Sequence, residues 1–162
     1  FKIMFDDNLC FVHHVGFCVY ITIEVCWRGH SSIVMGIVGG LILLYLDSIN
    51  QRISWDIDLM TYGTLGSVVA TGFELLIGEG IKLLGLKPIW DYSNLPFNFD
   101  GVICLSFSIA WFFVSIGGVF IADAINYYVF EELPVPYYKL FGEIVIRFKE
   151  KNCKLINLNK DE

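Results

Sequence analysis

Residues 102–122 read Val-Ile-Cys-Leu-Ser-Phe-Ser-Ile-Ala-Trp-Phe-Phe-Val-Ser-Ile-Gly-Gly-Val-Phe-Ile-Ala, a run without one charged side chain. A helix satisfies its own backbone N–H and C=O groups, and hydrocarbon cannot. About 20 apolar residues are enough to cross a bilayer core. The run is continuous and not alternating, so a spanning helix suits it better than a barrel strand. This stretch sets the class of fold, and its neighbours are read against it.

Three more runs resemble it. Residues 9–27 are interrupted by His13, His14 and Glu24, and residues 59–81 carry Glu74 and Glu79. Residues 32–47 are marginal in length, so a re-entrant or interfacial segment is the alternative there. Between the runs lie polar segments. Asn50, Gln51, Arg52, Asp56 and Asp58 follow the second run, and residues 87–101 hold two Pro, two Asn and two Asp. Pro134 and Pro136 end the helical potential after Glu131. The expected fold is an all-α membrane protein, a bundle of four transmembrane helices. Residues 1–130 would form the membrane domain. Residues 131–162 would form a polar cytoplasmic tail, a short helix or loose chain.

Composition agrees. The 162 residues are 56% hydrophobic and 17% charged, with a net charge of −6. Intrinsic disorder needs the opposite balance, and a nucleic-acid partner needs a basic surface. Five cysteines without a CxxC pair make neither a disulfide framework nor a zinc site. No GxxxxGK[ST], HExxH or GxSxG occurs, so no catalytic residue, enzyme activity or cofactor is assigned.

Basic residues set the orientation. With four spans, Lys2, Arg52, Lys139, Arg147, Lys149, Lys151, Lys154 and Lys160 share one side, against Arg28, Lys82 and Lys87 on the other. Both termini are therefore expected in the cytoplasm. Small residues, Gly36 and Gly40 above all, are expected at helix contacts within the bundle or at a homo-oligomer seam.

This orientation brings polar residues together near the external face. Glu24 and Arg28 are one turn apart, and Arg28-Gly29-His30-Ser31-Ser32 makes a polar turn. Glu74 and Glu79 lie in the outer half of the third run, and Asp91 follows in the next loop. Carboxylates within spans are costly and usually face the bundle interior. Glu24, Arg28, His30, Glu74 and Asp91 thus form a candidate solute, ion or proton site, or else an internal lock. Glu79 is expected to be solvated or paired with Lys82.

Cys10, His14 and Cys18 share a helix stripe that could suit Cu(I), but no further ligand completes it, so it reads as packing surface. Trp27, Trp55, Trp90, Tyr92, Phe97 and Phe99 suit an interfacial aromatic belt, and Trp111 a core position wanting an acceptor.

The string Trp90-Asp91-Tyr92-Ser93-Asn94-Leu95-Pro96-Phe97-Asn98, with Gly101, Ile103-Cys104-Leu105 and Trp111, resembles the ABC-transporter type IV, CmpB-like permease family. Glu24, Arg28-Gly29 and Glu74 match that family's pattern too. Val102 departs from it, as does the run at residues 33–40, which lacks Pro and Tyr. The resemblance implies a multi-pass protein of the cell membrane and a permease-like role, with ATP hydrolysis left to a separate ATPase subunit. The alternative is a structural or regulatory membrane protein whose external cluster docks a partner or locks the bundle.

Overall fold

The computed structural model describes residues 7–52, 57–131 and 134–150. Four helices follow one another up and down: α1 (Asp7–Arg28), α2 (Ile33–Arg52), α3 (Leu59–Leu83) and α4 (Leu105–Tyr128). Three of them, α1, α3 and α4, are long and apolar enough to cross a membrane. The apolar part of α2 is shorter, Ile33–Ile49. Trp55, Asp56, Lys2, Lys151, Lys154 and Lys160 lie outside the described residues.

The helix ends follow local chemistry. Asp58 caps α3 by accepting from Met60 N at 2.9 Å. At the far end Gly85 has φ 65°, with Leu86 N bonded to Ile81 O and Gly85 N to Lys82 O, a Schellman stop. Helix α1 ends on Gly29, at φ 75°, whose N–H reaches Val25 O at 2.8 Å. That left-handed residue turns the chain directly into α2.

Helix α2 is the buried one. Met35, Val38, Ile42, Leu43, Leu46 and Ile49 are all buried, Met35 in a cluster with Trp90, Tyr92, Val102 and Cys104. Glycines make the α1–α2 approach close. A Cβ on Gly16 would stand 2.9 Å from both Gly39 O and Gly40 Cα, and one on Gly40 would meet the His13 ring at 2.6 Å. The Gly36–Gly40 pair therefore faces α1 within the chain. In contrast, α1, α3 and α4 expose Phe11, Ile23, Trp27, Val68, Leu76, Ile109 and Phe113, the kind of surface that lipid covers.

Two β-hairpins complete the structure. Strands β1 (Asn98–Phe99) and β2 (Ile103–Cys104) pair across Asp100-Gly101, both at positive φ. Strands β3 (Tyr137–Leu140) and β4 (Glu143–Arg147) pair across Phe141-Gly142, again both at positive φ. The tail was expected as short helix or loose chain. It folds as a hairpin because Ile144-Val145-Ile146 is β-branched and Phe-Gly supplies the turn. Tyr138 anchors it, buried against Phe120 with ring centroids 4.3 Å apart.

Helix α4 runs six residues beyond the expected end at 122, through Asp123 and Asn126. Both are buried and paired: Asp123 Oδ2 accepts from Tyr138 at 2.5 Å, and Asn126 donates to Asp47 in α2. The expected cluster around Glu24 and Glu74 is thus not the whole of the buried polar chemistry. A second buried polar group, Asp47, Asp123 and Asn126, sits at the opposite end.

Candidate functional site

Glu24 is one turn from the end of α1 and buried. Spacing of four places Tyr20, Glu24 and Arg28 on one stripe of the helix. Arg28 forms an ion pair with Glu24, and the Tyr20 phenol donates to Oε1 at 3.2 Å. The turn at Gly29 folds Ser31 back so that its hydroxyl donates to Oε2. Both carboxylate oxygens of Glu24 are therefore occupied.

Glu74, in the C-terminal half of α3, is only 3% exposed. Tyr92 donates its phenol to Oε1 at 3.2 Å. Oε2 has no hydrogen-bond partner, and neither does the indole N–H of Trp111. The Trp111 indole stands beside the carboxylate. The positive charge of Arg28 acts on Glu74, Tyr20 and Tyr92 together.

The loop from Trp90 to Cys104 explains why Tyr92 reaches so deep. Trp90 Nε1 donates to Val102 O at 2.7 Å, and Tyr92 N donates to Gly101 O at 2.8 Å. Asn98 bridges the loop, donating to Leu95 O at 2.7 Å and accepting from Gly101 N at 3.1 Å. Gly101 must be glycine: its φ is 66°, and a Cβ there would lie 2.5 Å from Ser93 Oγ. The packed loop lays Tyr92 on Phe107, ring centroids 4.6 Å apart and nearly parallel. Burial, with the Glu74 charge adding to it, pushes the Tyr92 phenol well above the usual tyrosine range.

These groups line a cavity of about 500 Å³ between α1 and α4. Tyr20, Trp27, Tyr92, Phe107 and Trp111 form much of its wall, with Glu24, Arg28 and Glu74 as its charged members. The Tyr20 and Trp111 rings stack at 5.7 Å. An adjoining apolar groove of about 220 Å³ runs over Gly39, Ile42, Leu43 and Leu46 of α2, with Tyr20, Ile23, Trp111 and Val114 in the walls of both.

The structure thus brings Glu24, Arg28 and Glu74 to one cavity, but not His30 or Asp91. His30 is exposed and its Nδ1 bonds the Arg28 carbonyl at 3.0 Å. Asp91 is exposed and accepts from Ser93 N at 2.8 Å and Ser93 Oγ at 2.5 Å. Those two bonds hold its carboxyl below the usual aspartate range. Asp91 shapes the loop, and its short side chain is spent within it. Glu79 lies 3.6 Å from Lys82, which also bonds Asp100 Oδ2 at 2.6 Å.

Two other expectations change. Trp90 and Tyr92 are buried in the loop's core and not part of a belt, while Trp27, Phe97 and Phe99 are exposed. Cys10, His14 and Cys18 are all exposed, so their stripe is not a packing surface. Among the described residues no group of three metal-ligating side chains is assembled. Trp111 packs against the core as expected, and its ring also lines the cavity. Tyr20 was missed, and Ser31 was named only as part of the polar turn and not as a partner of Glu24. Tyr20 had a signal, its spacing of four from Glu24; Ser31 depends on the Gly29 turn.

Long apolar helices, charged side chains held inside them, and an apolar outer surface define a helical membrane protein. The family described as Putative ABC-transporter type IV matches residues 10–148, and the chain belongs to that family. No curated protein and no solved structure matches it.

Proposed function

We propose that this chain is a small permease-like component of a transporter. All four helices span the cell membrane, including the short α2, and both termini are cytoplasmic. One observation carries the reading: a cavity of about 500 Å³ opens between α1 and α4, and its deepest carboxylate, Glu74, keeps one oxygen unpartnered. Ligand pockets commonly have this size and this mixture of apolar wall and few polar groups. Family membership supports the transport role and points to a separate ATPase subunit. The chain itself carries no P-loop motif and is read as a non-enzyme. Four spans make a short pathway, so a complete route would need a second copy or another subunit.

The test is reconstitution. The protein alone should not hydrolyse ATP, and vesicles holding it with its co-purified ATPase should move a solute, with Glu74→Gln abolishing movement at normal abundance. Absence of any ATPase partner in a mild-detergent pulldown would overturn the reading.

A second reading has its own support. Glu24 is fully engaged by Arg28, Tyr20 and Ser31, which ties α1 to the turn before α2. That half of the cluster is a structural lock, and a regulatory membrane protein would need nothing more. Collapse of protein level in Glu74→Gln would favour this reading.

A further inference from the structure

We propose that the α1–α4 cavity receives an amphiphilic organic monocation, a long-chain alkylammonium in chemical class. The inference rests on reading this cavity as a solute site. Its first support is charge. Arg28 is committed to Glu24, which leaves Glu74 as the one carboxylate of the lining without a cation paired to it. A carboxylate held inside a membrane protein normally finds such a partner. Glu74 Oε2 is buried, unpartnered and in the cavity wall, so an ammonium N–H can donate to it.

The second support is the wall. Tyr20 and Trp111 stack on one another, as do Tyr92 and Phe107. All four line the cavity with Trp27. Aromatic faces attract cations through the ring quadrupole, and more strongly where water is scarce. An anionic headgroup would meet the same faces unfavourably and would compete with Glu24 for Arg28.

The third support is shape. The apolar groove over α2 adjoins the cavity, and Tyr20, Ile23, Trp111 and Val114 line both. A single apolar tail fits below a cationic head. Ile23 and Val114 are also exposed on the outer surface of α1 and α4, so a molecule dissolved in the bilayer has a lateral way in.

The experiment uses the full chain in lipid nanodiscs, with empty discs subtracted and no ATPase present. Binding of dodecylammonium is compared with that of dodecanol and dodecyl sulfate. Saturable binding of dodecylammonium alone is expected, weakened about tenfold or more by Glu74→Gln. Val114→Trp, at a surface position, should block the groove and weaken dodecylammonium more than ethylammonium. Should Glu74→Gln fail to fold, Val114→Trp and Trp111→Leu decide; unchanged affinity in both overturns the proposal. Equal binding of the alcohol or the sulfate overturns it as well. If dodecylammonium binds but reconstituted vesicles move no solute, the transport reading falls and this inference stands. If vesicles move another solute and dodecylammonium does not bind, the reverse holds.

Discussion

The phenol of Tyr92 donates to Glu74 across 3.2 Å, joining a loop residue to a carboxylate in the body of α3 that is 18 positions away in sequence. The bond depends on the whole loop. Trp90, Asn98 and Gly101 fix the backbone that carries Tyr92, and Gly78 leaves α3 open where Val102 presses against it.

Removing that donor should be costly. Tyr92→Phe leaves both Glu74 oxygens without an acceptor role, a penalty of about 1–3 kcal/mol for a buried polar group. Thermal unfolding in mild detergent should show the loss. Tyr92→Phe combined with Glu74→Leu should recover much of it, because both partners then become apolar. Equal destabilisation in single and double variants would show that the bond contributes nothing.

Arg28→Ala should destabilise by about 3 kcal/mol, the low end for breaking a buried ion pair, since the Arg28 side chain keeps 22% exposure. Glu24→Gln with Arg28→Gln should cost less than Arg28→Ala alone, because no uncompensated charge remains. Denaturation midpoints of the three variants give the order directly.

The glycine seam gives a contrast between positions. Gly16→Ala drives a methyl toward the α2 backbone, 2.9 Å from Gly40 Cα, and overpacking of this kind costs about 1–3 kcal/mol. Gly117→Ala meets nothing within 4 Å and should change the melting temperature little. Similar melting temperatures for the two variants would mean that α1 and α2 do not pack this closely.

At the other end, Tyr138 should resist ionisation. Burial, with Asp123 adding to it, pushes its phenol well above the tyrosine range. A tyrosine whose folded value is raised contributes stability that is complete below the unfolded value, about pH 10, and is lost as pH rises past it. Absorbance titration at the tyrosinate band should therefore show the same amplitude for Tyr138→Phe and the parent protein while both stay folded. A smaller amplitude in the variant would mean that Tyr138 titrates normally. Tyr138→Ala, by emptying a fully buried aromatic site, should cost about 3–5 kcal/mol in a detergent melt.

The four helices were legible from apolar run length, and the turn between α1 and α2 from its polar residues. The Glu24–Arg28 pair was legible too, since four residues is one helical turn. The end of α4 was not. Asp123 and Asn126 look like interface residues until Tyr138 and Asp47 are seen to pair with them. Hairpin β3–β4 hid behind a polar, charge-mixed tail whose two prolines dominated the local signal.

Sequence alone determined what hydrophobicity, turn chemistry and one-turn spacing can determine: a lipid-facing helical chain and the α1 pair of Glu24 and Arg28. Only the tertiary structure decided which polar groups are finished and which remain open. Asp91 spends its carboxylate on Ser93, Glu24 on three neighbours, and Glu74 keeps one oxygen unpaired in a cavity lined by five aromatic rings. Whether a buried carboxylate is satisfied depends on side chains from four separate segments, and no periodicity within one segment carries that information.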